Sequence, residues 1–398
     1  MVRVFRGCDV RRQDHAAVAL PTLGLAIGHV AWSGELACLL LAPAIVVLWR
    51  CAPTRLSAFA TLMAYYLGAG HGVIRGAEAF FAESLPQFSA LLGLAIWISY
   101  SALLGATWCA FWGQTHKGKR VLAVLLAISV PPIGVVGGFN PFLGVLAMFP
   151  GYGWLSIIVS VLGIIALSQK PKLITALPFI IFAIFSNTAY SEKKLSNWYS
   201  RETSFGQSRN SNDEFDRLMG LQRLTKNWST EHAPGSVLLL PELVGGNWEQ
   251  NKDWWQDLQS TLERRGQTVL LGVHVPAQDG AKYENAVVTI GKERDLTMRG
   301  RVPVPIAMWK PWAADGAQAS WGSHEVVVVA GARVAPLICY EQLLIWPALM
   351  SLSQRPDLLI APANDWWARD TAIPEIQYQA VRVWARAFNL PFLWTTNR

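Results

Sequence analysis

The chain has 398 residues, of which 52% are hydrophobic and 15% are charged, and its mean hydropathy is +0.27. It is too apolar for one ordinary soluble domain and too charged to lie in a membrane throughout. Between Ala16 and Tyr190 charged residues form small islands, whereas from Ser191 onward they return at the density of soluble proteins. The sequence therefore predicts a polytopic membrane domain at 1–190 and a soluble domain at 191–398.

The net charge of +7 does not indicate a nucleic-acid partner. Many basic residues stand beside apolar segments, where they fix membrane topology and meet anionic lipid headgroups. We therefore expect membrane lipid as a partner and no direct contact with nucleic acid. The five cysteines form no CxxC pair, and no histidine cluster has metal-ligand spacing. The sequence predicts no metal site and no cofactor, and it leaves Cys339 as the one cysteine of the second half.

The first half contains seven apolar segments of a length suited to a membrane, since about 20 apolar residues cross about 30 Å of hydrocarbon. They are 16–31, 34–49, 57–74, 89–112, 120–137, 152–168 and 173–189. The first two form either a tight hairpin or one long, kinked span, because only a Ser-Gly-Glu turn separates them. We expect the N-terminal segment to be a retained anchor, since no small-residue cleavage site precedes a hydrophilic chain.

Basic residues indicate how these segments are oriented. They occur before the first span and in alternate later loops, at Arg3, Arg6, Arg11, Arg12, Arg50, Arg55, Lys117, Lys119, Arg120, Lys170 and Lys172. The positive-inside rule places these residues in the cytoplasm. With the hairpin counted as two spans, the total is odd and the soluble domain lies outside. The prediction is a multi-pass protein of the bacterial inner membrane with its soluble domain in the periplasm.

The second half alternates short β-rich runs with helical patterns, which is typical of a layered α/β fold with buried strands. Reactive residues in such folds lie at strand ends. The run "LLLPE" ends at Glu242, "PLICYE" presents Cys339 with Glu341 just behind it, and "IAPAND" ends at Asn364 and Asp365. These positions are the candidates for a site.

Cys339 lies where an apolar strand passes into a helix-like run. A helix N-terminus lowers the pKa of a thiol and favours the nucleophilic thiolate, and Glu242 could accept the thiol proton as a general base. Both residues also have a purely structural interpretation. A lone cysteine at the end of a buried strand is more often an inert packing residue, and Glu242 could cap a helix.

The order "PE", a basic segment before Val-Pro, "CYE" and "NDWW" resembles the carbon–nitrogen hydrolase (nitrilase) superfamily over about Val237 to Asn397. A multi-span half before such a domain is the layout of apolipoprotein N-acyltransferase. The strings "RVPVP" and "NDWW" also resemble conjugal transfer proteins of rhizobial and agrobacterial plasmids. The resemblance implies an α-β-β-α sandwich, an acyl donor and an amine as substrates, and proteins of the conjugation apparatus as partners.

The resemblance implies a Glu-Lys-Cys site in which Glu242 is the base and Cys339 the nucleophile. It implies binding roles for Tyr340, Glu341, Asn364, Asp365 and Trp366. The lysine, which would stabilise the oxyanion, aligns with Gly300. Its flanking residues Arg299 and Arg301 could supply a guanidinium instead. We favour Arg301, and Lys310 is the other candidate.

Two further departures separate the chain from the acyltransferase. Met308 aligns with a glutamate of that enzyme's active site, and the sequence stops at Asn397-Arg398 where relatives continue with more strands. We expect either a trimmed sandwich or an edge supplied by a partner. Two functions follow. One is a thiol amidase or N-acyltransferase that works through acyl-Cys339 and serves plasmid conjugal transfer. The other is a nitrilase-fold scaffold or binding component of the conjugation envelope apparatus with impaired catalysis.

Overall fold

The computed structural model describes residues 18–169, 173–207, 210–277, 280, 282–313, 316–323 and 325–398. The chain divides into two compact units. Unit 1 is Met1–Ser191 with Asp370–Phe388, and unit 2 is Glu192–Arg369 with Asn389–Arg398. The segment Asp370–Phe388, which the sequence analysis assigned to the soluble domain, therefore groups with the N-terminal helices.

Unit 1 is helical. Its helices are α1 Val18–Ala31, α2 Leu36–Leu39, α3 Ala44–Cys51, α4 Arg55–Ala69, α5 Gly72–Phe81, α6 Ser89–Ala110, α7 Lys117–Ser129, α8 Phe142–Leu146, α9 Trp154–Leu167, α10 Leu173–Ala189 and, far along the sequence, α15 Ile373–Phe388. The interior is rich in aromatic side chains. Trp49 and Trp108 pack edge to face, and Trp108 Nε1 donates to Tyr66 Oη at 3.0 Å.

Among the described residues, one helix, α6, is both long and apolar enough to cross a membrane, and shorter apolar helices of 10–17 residues accompany it. Several predicted spans are interrupted. The segment 57–74 breaks between α4 and α5, and 34–49 is divided between α2 and α3. The segment 120–137 leaves the α-helix at Ser129, because Pro131 and Pro132 lack the N–H that would continue it.

The predicted cytoplasmic residues at both ends of the membrane half lie outside the described residues. They are Arg3, Arg6, Arg11, Arg12, Lys170 and Lys172. The first two residues of the first predicted span also lie outside them.

Helix α15 is fastened within unit 1 at its C-terminal end. The last carbonyl groups of a helix lack intrahelical donors, and here Gly151 N donates to Arg386 O at 2.8 Å and Gly153 N donates to Ala387 O at 2.7 Å. Both glycines have positive φ, which residues with a Cβ adopt at a cost. Trp154 packs edge to face on Phe388. The long segment at 137–154 thus caps this helix.

Unit 2 contains two β-sheets in the described part of the chain. The first runs in the order β1 Trp198–Ser200, β2 Val237–Leu239, β3 Thr268–Pro276, β4 Tyr283–Gly291 and β5 Thr297–Arg299. The second runs in the order β6 Val327–Val329, β7 Ala332–Pro336, β8 Leu358–Asn364 and β9 Phe392–Asn397. Strands β1 to β3 are parallel, as are β7 to β9, and the remaining pairs are antiparallel.

The two sheets pack face to face. One apolar cluster combines β2, β3 and β4 residues of the first sheet, such as Leu239, with β7 and β8 residues of the second, such as Ile360. On the opposite face of the first sheet, a second cluster includes Leu221 of α11 Ser211–Glu231 and Leu262 of α13 Gln256–Arg264. The short helix α12 Trp248–Asn251 precedes α13, and α14 Ile345–Ser353 contacts β7. Unit 2 is the predicted α-β-β-α sandwich.

The segment after β1 passes from one sheet to the other. Arg201 N donates to Leu239 O of β2 at 3.0 Å, and Thr203 N donates to Thr396 O of β9 at 3.1 Å. Thr203 forms a parallel bridge with Asn397. The outer edge of β9, where the sequence analysis expected missing strands or a partner, is therefore partly paired by the chain itself.

Candidate functional site

Cys339 lies at a sharp corner between the second sheet and a helix. Strand β7 ends at Pro336, and the 3-10 helix Cys339–Leu343 begins after two intervening residues. The backbone of Cys339 is left-handed, with φ of +49°. A non-glycine residue in this region costs about 1–3 kcal/mol, and such strain clusters at functional sites when the surroundings over-determine it.

Two buried side chains hold this corner. The Glu341 carboxylate accepts hydrogen bonds from the backbone N–H groups of Ile338 at 3.1 Å, Val302 at 3.0 Å and Arg301. Gln342 Nε2 donates to Leu337 O and to Pro362 O, each at 3.2 Å. Glu341 thus ties the corner to the loop after β5, which makes it a positioning residue.

Glu242 lies opposite the thiol, in the turn after β2. Its N–H donates to Ala363 O of β8 at 3.3 Å, and its side chain is 2% exposed. The carboxyl is hydrogen-bonded to the Cys339 thiol, and Asn285 Nδ2 of β4 donates to Glu242 Oε1 at 2.5 Å. The structure therefore brings Glu242 and Cys339 together, and their roles as base and nucleophile stay predictions.

Burial sets the protonation of this pair. Burial raises the pKa of Glu242 to about 8, against hydrogen bonds from Cys339 and Asn285 that lower it. Burial also raises the pKa of the Cys339 thiol well above its usual range, and the negative charges of Glu242 and Asp365 raise it further. The expectation that a helix N-terminus lowers this pKa is wrong, because desolvation and neighbouring carboxylates outweigh a short 3-10 turn. At neutral pH both groups hold their protons.

A small cavity opens beside the thiol, with room for about one water molecule. Its described lining is formed by Glu242, Asn285, Gly300, Val302, Pro303, Val304, Met308, Gln318, Ile338, Cys339, Tyr340 and Glu341. No lysine or arginine is among these described lining residues.

The candidates for the oxyanion cation lie elsewhere. Arg301 is fully buried and does not line the cavity. Its Nε donates to Ser323 O at 3.0 Å, and its Nη1 lies 3.9 Å from Glu341 Oε2. Arg299 Nε pairs with Glu284 at 2.8 Å, and Lys310 is not a lining residue. Gly300, where the sequence analysis placed the lysine position, does line the cavity.

The predicted binding residues divide into two groups. Tyr340 and Glu341 line the cavity, whereas Asn364, Asp365 and Trp366 do not. The Asn364 backbone N–H donates to the Cys339 sulfur, and its Oδ1 accepts from Asn397 Nδ2 at 2.9 Å. Asp365 is fully buried, and its Oδ2 accepts from Thr396 Oγ1 at 2.7 Å. Asn364 therefore contacts the thiol through its backbone, and the negative charge of Asp365 raises the thiol pKa.

The chain has full-length relatives of known name. It is 32% identical over 400 residues to the "Probable conjugal transfer protein TraB" of Sinorhizobium fredii, covering 97% of this chain and 100% of that protein. It is 31% identical over 417 residues to the "Conjugal transfer protein TraB" of Agrobacterium fabrum, covering 99% and 96%. The chain belongs to the TraB family of conjugal transfer proteins. The predicted resemblance to such proteins is confirmed.

Other comparisons with the TraB-family chain are more distant. No family model matches it. A carbon–nitrogen hydrolase from Helicobacter pylori is 14% identical with a TM-score of 0.38, over 50% of this chain and 72% of that one. An amidase from Nesterenkonia sp. is 14% identical with a TM-score of 0.36, over 50% and 74%.

Two polar residues of the cavity escaped the sequence analysis of this TraB-family chain. Asn285 holds Glu242, and Gln318 lines the same cavity. Asn285 stands in the strand "YENAVVTIG", where a buried amide in an otherwise apolar run is a usable signal. Gln318 lies in a loop, and no local pattern distinguishes it.

Proposed function

We propose that the chain is a membrane-anchored enzyme of plasmid conjugal transfer, a thiol amidase or N-acyltransferase that works through an acyl-Cys339 thioester. The observation that carries this proposal is the buried Cys339 thiol, hydrogen-bonded to the Glu242 carboxyl at a left-handed corner beside a cavity. A packing cysteine needs neither a buried acid nor a strained backbone. A nucleophile needs an adjacent base and a fixed orientation.

The residues support a two-step reaction. Ionised Glu242 accepts the thiol proton, the sulfur attacks the carbonyl carbon, and the proton passes to the leaving group as the thioester forms. Water or an amine then attacks the thioester while Glu242 accepts its proton, the carbon–sulfur bond breaks, and Glu242 returns the proton to the leaving Cys339 sulfur. Water gives an amidase and an amine gives an N-acyltransferase.

The anchoring part of the proposal rests on the surface of unit 1. Only 28% of the most apolar window of α6 is buried. Large apolar side chains also face outward on α1, α9 and α10, among them Leu23, Ile158, Leu162, Ile181 and Phe185. Apolar surface of this extent suits contact with lipid. The proposal places unit 1 in the bacterial inner membrane as a multi-pass domain and unit 2 in the periplasm, where conjugation-apparatus proteins are candidate partners.

The test of catalysis uses the full chain purified in detergent. It is incubated with amides and with phospholipid vesicles, and acyl adducts on Cys339 are measured by intact mass. Plasmid transfer frequency is measured in parallel in donor cells that carry each variant. We expect C339A to lose both the adduct and transfer, and C51A, at an exposed cysteine of unit 1, to keep both. Normal transfer with C339A would rule out the enzyme.

A second candidate function is a scaffold that keeps this fold without catalysis. The observation that favours it is the lack of a lysine or arginine among the described residues that line the cavity. A scaffold predicts normal transfer by C339A and no acyl adduct in the wild-type protein, so the same experiment separates the two functions.

A further inference from the structure

Two side-chain carbonyl oxygens at the cavity lack donors. Asn285 Oδ1 and Gln318 Oε1 are each buried and have no hydrogen-bond partner among the described residues. Both residues line the cavity that contains the thiol. Asn285 as a whole is 8% exposed. A buried acceptor without a donor is unfavourable, so this pair is suited to a ligand that brings N–H groups.

Both acceptors are held at the same end of β4. Asn285 Nδ2 is engaged by Glu242 Oε1 at 2.5 Å, and Gly300 N donates to Asn285 O at 2.7 Å. The amide nitrogen is thus committed to the base, which leaves Oδ1 as the free end. Gln318 N donates to Tyr283 O at 2.8 Å, two residues before Asn285. The backbones that carry the two oxygens are therefore held together at this end of β4.

The other residues that line the cavity favour a ligand that is a neutral hydrogen-bond donor. Gly300 and Met308 contribute neither an ammonium nor a carboxylate, and the cavity has room for about one water molecule. A primary carboxamide presents two N–H groups on one small nitrogen. An ester of the same size presents none.

We propose that Asn285 and Gln318 are specificity-determining residues that accept the two N–H groups of a primary carboxamide substrate. This inference rests on the proposed function and names its acyl donor. In the reaction the Cys339 sulfur bonds to the carbonyl carbon and the carbon–nitrogen bond breaks. The thiol proton passes through Glu242 to the leaving nitrogen, so that R–CO–NH₂ and the thiol give the thioester and ammonia. The same two oxygens keep hold of the nitrogen as it leaves.

The test compares two alkylating probes, one of which carries a primary amide and the other a methyl ester. Full-length protein is treated with chloroacetamide or with methyl chloroacetate, and modification of Cys339 is followed by intact mass. Each rate is divided by the rate with free cysteine, which removes the intrinsic reactivity of the probe. We expect the wild-type protein to prefer the amide by about tenfold or more, since a site built around N–H groups discriminates strongly against a ligand without them.

The variants assign that preference to the two oxygens. Q318A and N285A should each bring the ratio of amide to ester to within about threefold of unity. The matched control Q256A removes an exposed amide of α13 that donates to Asp253, and its ratio should equal that of the wild type. Q318A is decisive where N285A disturbs Glu242 or folding, because Gln318 makes no hydrogen bond to the base.

Failure of the inference is distinguishable from failure of the proposed function. Equal alkylation of Cys339 by the two probes would mean that the two oxygens bind water only, and it would contradict the inference. A Q318A protein with the wild-type preference overturns it as well. An absence of alkylation at Cys339 by either probe, with Cys51 still reactive, would instead reject the accessible nucleophile that the proposed function requires.

Discussion

At the residue scale, burial decides the chemistry of the thiol and its base. Cys339 and Glu242 share a hydrogen bond in a site with no described cation in its lining. Desolvation therefore outweighs the hydrogen bonds that these two groups accept, and it raises the pKa of both. The resting pair is neutral at neutral pH, so proton transfer to Glu242 requires the carboxylate form.

This protonation predicts how reactivity depends on pH. Glu242 has a pKa of about 8, so its carboxylate accepts the thiol proton above that pH and cannot do so below it. The rate of Cys339 alkylation should therefore rise steeply as pH passes through about 8. E242Q removes the acceptor, and its profile should move to higher pH because only the raised thiol pKa remains. Alkylation followed by intact mass across neutral and alkaline pH measures this, and coincident profiles would contradict it.

Glu341 provides a separate prediction about stability. Its carboxylate accepts three backbone N–H groups and lies 3.9 Å from the buried Arg301 guanidinium. E341A leaves these three donors without an acceptor and the buried guanidinium without its counter-charge, which should cost about 3–5 kcal/mol. E341Q keeps one oxygen and should cost about 1–3 kcal/mol. Thermal unfolding of the full chain in detergent, compared with E249A at an exposed position, measures both.

At the scale of elements, strand β3 and the turn that carries Glu242 approach too closely for a side chain. A Cβ at Gly272 would lie 2.2 Å from Pro241 O and 2.6 Å from Glu242 Cα. Both contacts are with backbone, which cannot move aside cheaply. The position of the base is therefore determined by a residue in a neighbouring strand that has no functional group of its own.

We expect G272A to displace the turn and with it the Glu242 carboxyl. Alkylation of Cys339 should lose its dependence on Glu242, so that the pH profile of G272A resembles that of E242Q, and the protein should be less stable. G322A is the matched control, because a Cβ at Gly322 meets no atom within 4 Å. A G272A protein with the wild-type pH profile would contradict this account.

At the scale of the whole molecule, the chain order and the structural units do not coincide. Helix α15 follows β8 in sequence but groups with unit 1. Within that unit, Gly151 and Gly153 cap its C-terminal carbonyls, and Arg386 Nη2 donates to Asn187 Oδ1 at 2.9 Å. Its fully buried Trp384 packs near Phe142 of α8. Part of the second half therefore depends on the first half for its burial.

This dependence predicts the behaviour of fragments. A fragment of residues 192–398 should aggregate or be cleaved by protease within 370–388, because the partners that bury α15 are missing. Co-expression with a separate fragment of residues 1–191 should protect the same segment. Limited proteolysis followed by mass spectrometry compares the two cases. A soluble 192–398 fragment with a protected α15 would show that the helix does not need unit 1.

The proposed topology has its own measurement. Alkaline phosphatase fused after Arg398 is active only when it is exported, whereas a green fluorescent protein fusion fluoresces only in the cytoplasm. We expect an active phosphatase fusion, a dark fluorescent fusion, and a membrane fraction that resists alkaline carbonate extraction. The opposite pattern would place unit 2 in the cytoplasm.

The sequence by itself determined the α/β class of the second half, the family and the strand ends that carry Glu242 and Cys339. These signals are local, because hydrophobic runs and the order of motifs can be recognised in the sequence without knowledge of distant contacts. Only the tertiary structure decided that Arg301 lies outside the cavity, that Asn285 holds the base, and that burial raises the pKa of the thiol. Those outcomes depend on which side chains meet across strands far apart in sequence, and on how completely they exclude water.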